Sequence, residues 1–205
     1  MHVDRLVPAR VPASLYLAFF LSGSAAIIYQ LIWQRVLSGV YGTNAEAVTT
    51  VVAAFMMGLG VGSLAGGWIV DRSGIPAATL FVLIELAIAA CGWWSVPLFR
   101  EVGAATVSVG PGAVWLVVGA LLIVPTMLMG ATLPILTAGT ARVGQRQIGD
   151  AVGQLYAVNT LGAAAGSVMT VLVVAGALGQ QGSAACAAAL NVTSAGLVWA
   201  TRRSW

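Results

Sequence analysis

The residues able to do chemistry in this sequence are few, and they stand out because their surroundings are so apolar. Glu85 lies about ten residues into an apolar run, some 13–15 Å along a helix rising 1.5 Å per residue. A carboxylate at that depth must be protonated, paired or facing water, and it is a functional candidate unless it serves as a protonated interhelical hydrogen-bond partner. Asn159 and Asn191 lie at comparable depth, and Tyr29 and Gln30 occupy the outer third of the first apolar run. Thr126 follows Pro125 and precedes Pro134, so it sits where prolines free backbone carbonyls that a hydroxyl can satisfy. The spacing predicts an interrupted helix there, of the kind that places a substrate near the membrane midplane. These six residues, Glu85, Asn159, Gln30, Tyr29, Thr126 and Asn191, form the expected translocation or binding set.

Other chemistry is excluded by what accompanies them. The single histidine is His2, there is no Cys/His cluster, and no Ser–His–Asp set can be assembled, so neither catalysis, a metal nor a cofactor is expected. Cys91 and Cys186 fall inside apolar runs and read as small packing residues. Glu46 and Asp150 open apolar runs, where a carboxylate favours the positive end of the helix dipole. Asn191-Val192-Thr193 matches a glycosylation sequon but lies within a span.

The elements that must position these residues are membrane helices. The 205 residues are 60% hydrophobic and only 7% charged, whereas a soluble domain carries roughly a quarter charged residues. Hydropathy and breakers predict an all-α integral membrane fold of six spans at about 13–33, 45–70, 76–98, 112–138, 151–178 and 183–201. A tail of residues 1–12 precedes them, residues 202–205 follow, and a tight turn runs from Gly179 to Ser183. The basic N-terminus resembles a signal peptide, but the first run is span-length and reads as an uncleaved helix.

All nine basic residues are arginines, scattered rather than clustered, which excludes a nucleic-acid face. Six spans place Arg5, Arg10, Arg72, Arg142, Arg146, Arg202 and Arg203 on one side and Arg35 and Arg100 on the other. That bias predicts both termini in the cytoplasm, with the chain embedded in the lipid bilayer of a bacterial inner membrane. Trp33, Trp68, Trp93, Trp94, Trp115 and Trp199 fall near predicted helix ends, where indoles sit at the headgroups.

Gly58, Gly62 and Gly66 share one face of the second helix, and Gly162 and Gly166 share one of the fifth. Lipid supplies no hydrophobic drive between helices, so small residues are the available packing device. Gly58-Leu59-Gly60-Val61-Gly62 is not a nucleotide loop, since that motif needs a preceding strand and an exposed turn.

Two resemblances follow from motifs. Gly67-Trp-Ile-Val-Asp71-Arg72-Ser-Gly74 resembles the G-x-x-x-D-R-x-G loop of the major facilitator superfamily. Phe20–Arg35, Ala54–Gly60, Pro125–Pro134 and Gly153–Gly162 are similar to the membrane domain of bacterial fused spermidine synthases, a likeness covering about residues 15 to 200. In that family a soluble aminopropyltransferase domain follows the membrane half. The chain stops at Trp205, so the resemblance leads to no enzyme activity here.

The superfamily likeness implies a 3+3 inverted repeat forming half of a two-lobed transporter. A homodimer would complete it through helices 2 and 5, with the five glycines at the interface and Gly67, Asp71, Arg72 and Gly74 as a gating loop. The expected function is a small transporter for a polar or cationic metabolite such as a polyamine, working by alternating access. The alternatives are a membrane anchor for an aminopropyltransferase-like partner, docked through Arg142, Arg146, Arg202 and Arg203, or the membrane half of a longer fused protein.

Overall fold

A computed structural model describes residues 12–42, 44–106, 110–140 and 145–202, and every element among them is helical. The N-terminal tail with Arg5 and Arg10, Arg142 and Arg203 lie outside the described residues, as does the side chain of Arg146. The helices are α1 (Ala13–Tyr41), α2 (Asn44–Arg72), α3 (Ala77–Ala105), α4 (Pro111–Thr140), α5 (Gln145–Met169) and α6 (Ala175–Thr201). A π-helical turn, Thr170–Val174, joins the last two. Among the described residues five runs are long and apolar enough to cross a membrane, the last of them the 53-residue stretch Gly149–Thr201.

That last run is not one rod. Straight, it would extend about 80 Å at 1.5 Å per residue. Instead Tyr16 hydrogen-bonds Gln154 near its beginning, and Ser14 donates to Thr201 at its end over 3.2 Å. Both ends therefore lie beside the start of α1. The reversal is made at Gly179, whose φ of 63° and ψ of −171° are available to glycine at little cost. The turn is thus one residue rather than the predicted Gly179–Ser183. Other boundaries stop where backbone chemistry dictates. Gly42 caps α1 in a left-handed conformation with its N–H on the Ser38 carbonyl, and Pro76 precedes α3.

Two expectations are corrected here. First, α4 is continuous, with Pro125 and Pro134 inside it, so there is no interrupted helix. Second, α1 runs on to Tyr41 and carries Trp33 into the core, where it is fully buried. Its indole N–H donates to Ser95 (2.9 Å), and its ring stacks on Tyr29 and meets Phe99 edge-on.

The helices pair. α2 packs most extensively on α4 and α1 on α5 and α6, while α3 closes the back against α6 and α4. The glycines assigned to a dimer interface make these contacts within the chain. A Cβ on Gly58 would fall 1.8 Å from Thr126 Oγ1, one on Gly62 2.0 Å from the Met127 carbonyl, and one on Gly66 2.7 Å from Ala131 Cα. Gly130 returns the contact against Leu59. In α5, Gly162 and Gly166 lie against the backbone of Phe20 and Ser24 in α1, and Gly23 meets Asn159 in the opposite sense. The close approach predicted from the register is real, but its partners are α4 and α1 of the same chain. Disulfide crosslinking between positions 62 and 162 of two copies is therefore not a suitable probe of association.

Gly62→Ala should lower the thermal stability of the detergent-solubilised protein by about 1–3 kcal/mol, the usual cost of overpacking. Gly196→Ala, where nothing lies within 4 Å of the added methyl, should not destabilise it.

Candidate functional site

The α2–α4 pair and the α1–α5 pair diverge, and a groove of about 480 Å³ lies between them. Its wall is mostly apolar, with Phe19, Phe55, Leu59 and Met129 among its residues. Set into it are Ser22 and Gln30 from α1, Ser63 from α2, Thr132 from α4, and Tyr156, Asn159 and Thr160 from α5. A concave apolar wall with a few polar groups from several elements is the usual form of a small-molecule site. On one side the wall is open, because Gly60, Ser63, Tyr156 and Thr160 are exposed.

Of the six residues expected to form a site, Gln30 and Asn159 line this groove. The other four do not. Thr126 is fully buried between α4 and α2, where its hydroxyl lies on the carbonyls of Leu122 (2.8 Å) and Ile123 (3.0 Å) and within 3.3 Å of that of Ala54. It seats Gly58 and holds two helices together. Tyr29 turns the other way, its ring filling the space beside Gly92 of α3, where a Cβ would come within 2.1 Å of it.

Glu85 and Asn191 meet each other behind α1. Glu85 is fully buried, and both its oxygens are occupied by neutral donors. The Ser22 hydroxyl donates to Oε1 (2.6 Å) and the Asn191 amide nitrogen to Oε2 (2.7 Å). Two buried polar atoms of the same cluster have no hydrogen-bond partner, Asn191 Oδ1 and the Tyr29 hydroxyl. Tyr29 packs on Gly92 of α3, and the Glu85 hydrogen bonds join α3 to α1 and α6, so the cluster lies between these three helices.

Ser22 belongs to both constellations, lining the groove and hydrogen-bonding Glu85. Sequence reasoning missed it, although a signal exists. Ser22, Glu85 and Asn191 all lie about nine residues from the same end of the bundle, at 1.5 Å per residue. Ser63, Thr132, Tyr156 and Thr160 were missed as well, and nothing in their spacing separates them from the hydroxyls that bond their own helix.

Asp71 and Arg72, expected in a loop, are exposed in the last turn of α2, and the Arg72 guanidinium lies 4.9 Å from the Trp68 ring centre, in cation–π contact. Gly74 adopts a φ of 65°, which explains a glycine there, and Gly67 makes ordinary contact with Pro134. Cys91 and Cys186 are free and half-buried. Among the described residues no group of His, Cys, Asp and Glu is arranged to hold a metal.

The fold and groove define an all-helical protein with membrane-spanning capacity and an interior polar site. Over 186 residues the chain is 26% identical to polyamine aminopropyltransferase 1 of Streptomyces coelicolor, a match covering 90% of this chain and 33% of that protein. The chain thus spans about a third of the length of its curated relative. No family model and no solved structure matches it.

In a background lacking Cys91 and Cys186, cysteines at positions 30 and 159 should react readily with a water-soluble thiol reagent. Cysteines at 29 and 126 should stay unreacted until the protein is denatured. Labelling followed by mass spectrometry checks this, and equal reactivity at all four would refute the placement.

Proposed function

We propose that the chain is half of a two-lobed membrane transporter, in which two copies enclose the groove around a small polar or cationic metabolite such as a polyamine. The observation that carries this reading is the groove's open side. Ser63 and Tyr156 stand exposed there, and polar groups facing hydrocarbon are costly. A second copy would cover them and complete the wall, as a closed C2 arrangement allows.

In this reading the run from Gly149 to Thr201 crosses the bilayer twice, giving six spans in the manner of a major facilitator half. The arginine distribution supports both termini on the cytoplasmic face of a bacterial inner membrane. Asp71 and Arg72 then gate the cytoplasmic side. The apolar faces left free on α2 and α5, with Leu64 and Leu161 prominent, form the contact in place of the glycines. A polyamine is favoured because the relative is named for polyamine chemistry, and because Gln30, Asn159 and the hydroxyls offer oxygen acceptors to an ammonium group.

The relative's greater length favours a second reading, in which the helical module anchors an aminopropyltransferase-like enzyme at the membrane. Proteoliposomes loaded with labelled spermidine or putrescine separate the two. Exchange across the membrane, reduced roughly tenfold by Asn159→Leu through loss of about 1.4 kcal/mol of binding, is expected for a transporter. Absence of both binding and exchange, with an aminopropyltransferase co-purifying, would leave the anchor.

Association is tested separately in the cysteine-free background. Leu64→Cys in one copy and Leu161→Cys in another should form a disulfide-linked dimer in membranes. Monomer alone under oxidation would refute the paired arrangement.

A further inference from the structure

We propose that Glu85 gives up a proton when a cation enters the groove and regains it when the cation leaves, with Ser22 as the link. The inference rests on the reading of the groove as a cation site and adds how that site balances its charge. Three observations carry it. Glu85 is fully buried, and the groups on its two oxygens are uncharged. Ser22, one of those groups, is also part of the groove wall. Asn191, the other, keeps its own oxygen buried without a partner.

Tyr29 of α1 packs against α3, and Cys186 is the one ionisable side chain in the sequence of α6; neither is cationic. The sequence of α4, which also packs on α3, holds no ionisable side chain. A carboxylate so enclosed needs a positive charge nearby or a proton of its own.

The hydrogen bonds provide for both states. With Glu85 ionised, Ser22 commits its one proton to Oε1 and can only accept from the groove, which suits an ammonium N–H. With Glu85 protonated, a half-turn of the Asn191 amide replaces Nδ2 with the unpartnered Oδ1, an acceptor for the carboxylic O–H. Ser22 is then free to donate into the groove, which disfavours an ammonium. In the step between the states the carboxyl group rotates so that its O–H meets the Ser22 hydroxyl oxygen, and the O–H bond of the acid breaks. Its electron pair stays on Glu85, and the proton passes by way of the Ser22 hydroxyl to water in the groove. One proton leaves as one ammonium group of the cation takes its place beside Ser22.

The test uses the full chain in lipid and two readouts. Infrared difference spectra taken while pH is stepped, with no amine present, should show a protonated-carboxyl carbonyl band that is missing in Glu85→Gln. Spermidine, added in weak buffer, should erase that band and release a single proton per chain. Ser22→Ala should keep the band but uncouple it from spermidine. Glu85→Gln preserves size and hydrogen-bonding capacity, and Ser22→Ala serves as a second variant should it fail to fold. Spermidine binding without proton release, or binding that requires sodium and ignores pH, would overturn the proposal. A titrating band with no spermidine binding would support Glu85 as the proton site and remove the polyamine reading alone.

Discussion

Close backbone contact between helices is the constraint on which the rest of the structure depends. In lipid there is no water to expel from between two apolar helices, so association relies on how nearly their backbones can touch. Gly58, Gly62 and Gly66 bring α2 onto Thr126, Met127 and Ala131 of α4, and Gly130 answers from the other side. Gly162, Gly166 and Gly23 do the same for α5 and α1. Each pair is zipped along its length while the pairs touch each other less, and the groove is the space that remains. The glycines thus locate the site without contributing a polar atom to it.

The fold was legible in the sequence to the extent that it depends on one helix at a time. Apolar runs, glycine registers and proline positions lie along single helices, so spans and packing faces could be read. Which helix meets which face is a property of pairs, and there the reading failed: the glycines look inward to α4 and α1 rather than outward to another copy. The same distinction governs the site. Depth placed Glu85, Asn159, Asn191 and Gln30 in the interior, but depth does not tell rotation about the helix axis. Gln30 and Asn159 turn into the groove, whereas Tyr29, one residue from Gln30, turns toward Gly92. Ser63 and Thr132 were invisible because hydroxyls in apolar helices ordinarily bond their own backbone, as Thr160 does with Tyr156 and Thr170 with Gly166.

The Glu85 cluster shows a different economy from the glycine contacts. Ser22, Glu85 and Asn191 belong to three helices, and each bond joins two of them. A wholly apolar contact in this place would hold the helices together equally well, since buried ionic groups are weak sources of stability. Retaining a carboxyl there gives the bundle a group whose bonds can be rearranged without displacing a helix. Backbone packing fixes the frame, and one side-chain cluster within it keeps two bonding patterns open.

The single-residue reversal at Gly179 bears on how the chain is made. Between α5 and α6 there is no loop long enough to wait outside the membrane while one helix settles. α6 is rich in alanine, serine and glycine, and buries Asn191 and Ser194 in hydrogen bonds to its neighbours. Alone in hydrocarbon it would leave those groups unpaired. Asn191 and Ser194 find their partners on α3 and α1, so the hairpin is complete only once it packs on helices that precede it in the chain.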